Sequence, residues 1–326
     1  MYPEISVVVP MRNESPNVGD LYTQVTSALS RFGRPFEIIC IDDGSSDGTF
    51  GRLAELQSKD SRLRVIRFRR NFGQTAGFAA GFAHARGRFV VTMDGDLQND
   101  PADIPAMIER AERENLDVVC GWRKSRKDPY FSRRLPSMIA NGVISHATGV
   151  KLHDYGCSLK VFRSEVVKPM KLYGEMHRFL PAIATEFGVT MGEQIVNHRA
   201  RVHGSSKYGI SRTFRVILDL LTVKFLSSYK TRPLQMFGSV GMAMGAVGFF
   251  ICLWITYLRF FAYQSANRPL LSVGLNMMLG GVILIMFGLL AEMVSRTYHE
   301  SQDKPIYVIR EVLETPADRP REVIGA

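Results

Sequence analysis

Cysteine is scarce and unpatterned in this chain: Cys40, Cys120, Cys157 and Cys252 are the only four among 326 residues, and no two form a C-x-x-C pair. That spacing excludes a zinc knuckle and a disulfide framework, and suits reduced thiols inside a cell. A basic leader with a short apolar core is also missing. The first apolar run, Ile5-Ser6-Val7-Val8-Val9, reads as a β-strand, so export of the first domain is not expected. Neither G-x-G-x-x-G nor a Walker A sequence follows that strand, which argues against a glycine-rich phosphate cradle. The formal charge of +10 and the isoelectric point of about 9.6 come without an RRM, OB or helix-turn-helix pattern. The positive excess therefore points to phosphorylated substrates or anionic lipid headgroups rather than nucleic acid.

Charge is absent from two long stretches near the end. Residues 237–258 and 270–291 contain no Asp, Glu, Lys or Arg, and Arg259 and Arg268 lie in the connection between them. Each stretch is long enough to cross a bilayer as a helix, so 233–292 reads as a transmembrane hairpin. Gly238, Gly241, Gly245, Gly248, Gly280 and Gly281 would let helices approach closely, within the hairpin or between protomers. Arg212, Arg215, Lys224, Lys230 and Arg232 precede the first span, and Arg296, Lys304 and Arg310 follow the second. The positive-inside rule then puts the N-terminal domain, 1–211, and the tail, 293–326, on the cytoplasmic side of the inner membrane. Between domain and hairpin, 212–232 mixes Phe214, Ile217, Leu218, Leu221 and Phe225 with Arg215, Asp219 and Lys224. That is the pattern of an amphipathic helix in the headgroup region.

The N-terminal domain alternates strand-like and helix-like stretches, the sign of a mostly parallel α/β sheet. Strands are expected at Ile5 to Val9, Glu37 to Ile41, Leu63 to Phe68 and Phe89 to Met93, with helices at Val18 to Phe32, Thr49 to Leu56 and Gln74 to Arg86. Open sheets of this kind bind ligands at the carboxyl ends of their strands. Those ends carry Pro10-Met11-Arg12-Asn13-Glu14, Asp42-Asp43-Gly44, Arg69-Arg70-Asn71 and Asp94-Gly95-Asp96. Two carboxylates one residue apart at a strand mouth offer hard oxygen ligands for Mg²⁺ or Mn²⁺, with phosphate oxygens and water completing the shell. Gln98 adds a neutral oxygen nearby. Taken alone, D-x-D also fits a solvated turn.

Three motifs in order, V-V-V-P-M-R-N-E, I-D-D-G-S-S-D-G-T and M-D-G-D-L-Q, resemble glycosyltransferase family 2. Later segments agree: Asp154-Tyr155-Gly156-Cys157-Ser158-Leu159-Lys160, Arg201-Val202-His203-Gly204-Ser205-Ser206-Lys207-Tyr208 and the tail Lys304 to Glu311. The D-x-D-L-Q form is similar to the branch that glycosylates polyprenyl phosphates. The resemblance implies a GT-A fold, 1–125 binding the nucleotide sugar and 126–211 facing the acceptor. It also implies a UDP-linked donor with GDP-mannose as the alternative, a polyprenyl phosphate acceptor and a homo-oligomer, often a tetramer in two-span relatives.

By similarity, Pro10, Glu14 and Asp43 line the nucleoside, with Asp43 placed to bind a base N–H. Asp42 either shares that work or caps the following turn. Asp94 and Gly95 lie toward the ribose or base, and Asp96 with Gln98 contacts metal and diphosphate. Arg123 and Arg133 match positions that hold the acceptor phosphate, and Arg201, Ser206 and Lys207 match the loop closing over both phosphates. Arg134 could exchange with Arg133 in that match. Asp154 is expected to orient the acceptor, take a residual proton or bind a sugar hydroxyl, against the alternative of a structural turn carboxylate. His153 and His203 receive no chemical role. A phosphate acceptor is already anionic near neutral pH, so catalysis would rest on positioning and electrostatics, with inversion in one in-line step. A processive polysaccharide synthase would need more spans and a Q-x-x-R-W sequence, which is missing. A non-catalytic membrane scaffold is the alternative from another class, and the intact Asp94, Asp96 and Gln98 argue against it.

Overall fold

The computed structural model describes residues 2–124, 152–174, 176–199 and 305–315, with isolated helical positions between 145 and 297. The chain divides into one unit of Met1–Arg212 with Pro305–Ala326 and another of Thr213–Lys304. The amphipathic segment lies outside the described residues, as does the hairpin apart from isolated positions. Among the described residues no helix is long and apolar enough to cross a membrane.

The first unit is built on an eight-stranded sheet in the order β7-β5-β6-β4-β1-β2-β3-β8. Its centre is parallel: β1 (Ile5–Met11) lies between β2 (Phe36–Asp42) and β4 (Phe89–Thr92), and β2 pairs β3 (Leu63–Phe68). Strands β1 to β4 are almost wholly buried, as expected of continuous apolar runs covered on both faces. Beyond β4 the direction alternates: β6 (Lys160–Arg163) runs antiparallel to β4 and to β5 (Val118–Trp122), and β7 (Met191–Ile195) is parallel to β5.

Helix α1 (Val18–Phe32) buries Val18, Leu21, Val25, Ala28 and Leu29, spaced so that one stripe faces the sheet. It stops at Gly33, whose φ of 76° and N–H bonds to Leu29 and Ser30 form a left-handed C-cap. Helix α2 (Thr49–Lys59) follows β2, and α4 (Ile104–Arg113) buries Ile104, Met107, Ile108 and Ala111. Helix α3 (Gln74–His84) is packed against β1, where a Cβ on Gly77 would lie 2.7 Å from the Pro10 ring. Two short helices, α5 (Ser164–Val167) and α6 (Leu180–Ala184), complete the described set. The strands and helices expected between Ile5 and Met93 are all present, with no end displaced by more than three residues.

The segment expected as a tail contributes β8 (Ile309–Leu313), which adds to the open edge of β3 in antiparallel register. Glu311 pairs Arg67 at 3.0 Å, Tyr307 stacks on Phe68 at 5.1 Å, and Glu314 accepts from Arg64 and Arg86. Arg64, only 4% exposed, also bonds Glu37, whose other oxygen accepts from Ser6. These side chains come from the start of β1, β2 and β3, the end of the sheet away from the four polar loops. Charges so deeply buried are tolerated because each is paired and hydrogen-bonded. Burial pushes the Cys40 and Cys120 thiols up to about 12, in keeping with unreactive thiols.

Candidate active site

Parallel β1, β2, β3 and β4 deliver their carboxyl ends to one edge, and hydrogen bonds lace the loops there together. Asn13 stands at a φ of 55°, its N–H donating to Ser45 Oγ at 3.0 Å and its Oδ1 accepting from Ser46 N–H at 2.9 Å. Glu14 N–H donates to Thr49 Oγ1 at 2.9 Å, and Glu14 Oε2 accepts from Asn17 Nδ2 at 2.5 Å. Pro10 is half-buried against α3.

Asp43 is the knot between the second and third loops. Its carboxylate accepts from Asn71 Nδ2 at 2.6 Å, Phe72 N–H at 2.7 Å and Gly73 N–H at 3.0 Å. Burial pushes this carboxyl upward, Asp42 adds to the rise, and the two N–H bonds with the Arg12 charge pull against it. The carboxylate expected to bind a base N–H thus holds the loops together. Asp42 is fully buried; its Oδ1 accepts Ser45 N–H at 3.1 Å, which is the turn-capping arrangement, and Arg67 Nε lies 3.6 Å from Oδ2. Gly44, at a φ of 63°, allows the close approach of Arg70 and Asn71, because a Cβ there would lie 2.5 Å from the Arg70 carbonyl carbon.

The acidic pair follows β4. Asp94 Oδ1 accepts from Gln74 Nε2 at 2.6 Å, tying it to the start of α3. Its carboxyl is pushed up by burial first and by the Asp96 charge second, opposed by Ser158, Lys160 and Arg123. A Cβ on Gly95 would meet the Met11 Cε at 3.0 Å, a tight contact that the flexible end of the methionine would have to ease. Asp96 is 7% exposed, and its Oδ1 accepts Gln98 N–H at 3.2 Å. Leu97 between them has a φ of 62°, an uncommon conformation for a branched side chain and one that clusters at functional sites. This set of hard, mostly carboxylate oxygens fits Mg²⁺ or Mn²⁺. Among the described residues no group of three or more His, Cys, Asp or Glu forms a closed cage, so phosphate or water oxygens would complete the coordination.

Across from the pair, Arg123 at the end of β5 grips Asp154 with Nε at 2.7 Å and Nη2 at 3.0 Å. Burial works against the Arg123 charge, but the hydrogen bonds and charge of Asp154 outweigh it and hold its pKa above the ordinary arginine value. Gly156 leaves room for the fork, since a Cβ there would lie 3.2 Å from Arg123 Nη2. His153 stacks on Trp122 with ring centres 4.2 Å apart and bonds Glu193 through Nδ1 at 2.7 Å. It is an exposed side chain anchored by these two contacts.

Pro10, Glu14, Asp43, Asp94, Gly95, Asp96 and Gln98 thus lie on the loops of one sheet edge, with Arg123 and Asp154 joined to each other at the neighbouring strand end. Arg133, Arg134, Arg201, His203, Ser206 and Lys207 fall outside the described residues. Sequence reasoning gave no role to Asn71, Gln74 or Lys160. Lys160 had a legible signal, an ionisable residue inside the apolar run Leu159-Lys160-Val161-Phe162.

The glycosyl transferase family 2 model matches residues 6–170, which contain every one of these loops. The chain belongs to glycosyltransferase family 2. It is 48% identical over 317 residues to dodecaprenyl-phosphate galacturonate synthase of Rhizobium johnstonii, covering 95% of this chain and 93% of that one. It is 36% identical over 320 residues to undecaprenyl-phosphate 4-deoxy-4-formamido-L-arabinose transferase of Pseudomonas aeruginosa, covering 97% and 92%. Among solved structures it is similar to glucosyl-3-phosphoglycerate synthase from Mycobacterium tuberculosis in complex with Mn²⁺ and UDP-glucose. There the TM-score is 0.52 at 16% identity, over 69% of this chain and 79% of that chain, which establishes the GT-A-like fold.

Proposed function

We propose that this chain transfers a sugar from a nucleotide sugar to a polyprenyl phosphate at the cytoplasmic face of a membrane, giving a polyprenyl-phosphate sugar. The observation that carries this reading is the 48% identity to a dodecaprenyl-phosphate galacturonate synthase across 95% of the chain. A UDP-linked hexuronate such as UDP-galacturonate is the first donor to test, ahead of UDP-4-formamido-arabinose, UDP-glucose and GDP-mannose.

In this reading Pro10, Glu14, Asp43 and Asp94 surround the nucleoside, and Asp96 with Gln98 would hold Mg²⁺ or Mn²⁺ beside the diphosphate. The bound ion would supply Lewis-acid charge to the departing nucleoside diphosphate. Arg123 retains N–H donors beyond those given to Asp154, and with Arg133, Arg201, Ser206 and Lys207 it would bind phosphate oxygens. An anionic acceptor oxygen needs no strong base; Asp154 orients the fork, and positioning supplies most of the acceleration. Residues 212–232 and 233–292 act as interfacial helix and two-span hairpin, which keep the site near the lipid phosphate, and the glycines of the hairpin suit a homo-oligomer.

The test is a donor panel with purified protein and undecaprenyl phosphate in vesicles, with and without EDTA, scored for lipid-linked sugar. Transfer from a UDP-sugar that stops on chelation is expected. No transfer from any donor would overturn the reading, and undiminished transfer after rigorous metal removal would overturn the metal role.

A further inference from the structure

Lys160 opens β6 in the middle of the sheet, opposite Thr92 on β4 and Cys120 on β5. It is 2% exposed, a rare state for a lysine. Its ammonium donates to the carbonyl oxygens of Tyr155, at 3.4 Å, and Cys157. Among the described residues no carboxylate is within ion-pair distance of it. Burying a charge against two neutral oxygens is costly, and an apolar side chain of similar length would avoid that cost. A packing role alone gives no reason for lysine here.

The surroundings give one. The two carbonyls belong to the turn that starts at Asp154, the residue gripped by Arg123. Thr92 pins the same turn from β4 by donating from Oγ1 to Ser158 O at 2.7 Å. Asp94 lies two residues beyond Thr92, the residue paired opposite Lys160. Three carboxylates, Asp94, Asp96 and Asp154, meet two cations, Arg123 and Lys160, so these five side chains carry a formal sum of −1 when all are ionised.

We propose that Lys160 is a positioning residue for sugar transfer: it fixes the turn that presents Asp154 and the Arg123 fork, and its charge limits the negative potential at the acidic pair. This rests on the proposed glycosyl transfer for its kinetic part only. Electrostatically, the ammonium would weaken the binding of a divalent ion at Asp96 and Gln98, since a like charge in a poorly screened site opposes cation binding.

The experiment compares wild type, Lys160→Met and Lys160→Arg in vesicles by three measurements: thermal unfolding, Mn²⁺ binding with UDP present by electron paramagnetic resonance, and steady-state transfer. Lys160→Met is expected to keep or raise Tm, bind Mn²⁺ more tightly, and lose turnover by about 100-fold, the size associated with a misplacement of about 1 Å. Lys160→Arg should recover most of the turnover and the wild-type Mn²⁺ affinity. Unchanged turnover and Mn²⁺ affinity in Lys160→Met would overturn the proposal. So would a loss of turnover matched by a lower Tm and not recovered by arginine, which marks a packing residue. If wild type transfers no sugar, the functional reading fails while the Mn²⁺ arm still decides the role of Lys160.

Discussion

Arg123 and Asp154 form a two-point ion pair, Nε to Oδ2 at 2.7 Å and Nη2 to Oδ1 at 3.0 Å, joining the end of β5 to the turn before β6. Asp154 is 1% exposed, and the fork gives its buried carboxylate two charged hydrogen bonds. Lysine cannot reproduce the planar fork. Arg123→Lys is expected to lower turnover by about 100-fold through misplacement of the acceptor side. Arg123→Ala should also cost about 3 kcal/mol in stability by removing both bonds of the fork from a buried carboxylate. Steady-state kinetics and denaturant unfolding separate the two effects.

Asp96 and Gln98 sit either side of Leu97, whose left-handed backbone turns the chain between them. Asp96→Ala is expected to abolish detectable transfer and weaken Mn²⁺ binding, while Gln98→Ala should weaken binding less because an amide oxygen there would be a neutral ligand. Titration of Mn²⁺ with UDP present checks the order of the two variants.

Three donors converge on Asp43, two of them backbone N–H groups of the loop before α3. Asp43→Asn places an amide N–H₂ against those donors. A loss of about 2 kcal/mol, roughly a 30-fold rise in donor KM, is expected, with a smaller change in acceptor KM. Equal changes for both substrates would count against a donor-side role.

His84 ends α3 at the opposite end of the sheet, beside Arg64. Burial lowers its pKa first, and the charges of Arg64, Lys168 and Arg86 lower it further against Glu314. The native state therefore resists a proton that the unfolded chain accepts in the ordinary histidine range, around pH 6.5. Stability from this group is present above that range and lost as pH falls through it toward the depressed native pKa. Tm of the wild type should fall between about pH 7.5 and 5.5 by more than that of His84→Gln.

The parallel centre of the sheet was legible because its strands are short apolar runs ending in polar loops, and α1 because its apolar residues recur at helical spacing. The acidic pair was legible for the same reason, sitting directly after β4. What sequence alone did not show depends on contacts between distant segments. Asp43 reads as a free ligand until Asn71, Phe72 and Gly73 are seen to occupy it, and Arg123 and Asp154 read as separate contributors until the turn brings them together. Edge strand β8 escaped because Ile309 to Leu313 includes Arg310 and Glu311, a pattern that also suits a solvated tail.

That edge strand sets a timetable for synthesis. Arg67 and its partner Glu311 are 244 positions apart, and the whole of Thr213–Lys304 is made between them. At ordinary translation rates the exposed side of β3 waits roughly 12–50 s for its neighbour to leave the ribosome. During that interval Val65, Ile66 and Phe68 lie on an open sheet edge, the kind that pairs with other chains. A chain ending before Pro305 would leave that edge open permanently, and aggregation rather than loss of a dispensable tail is the expected result.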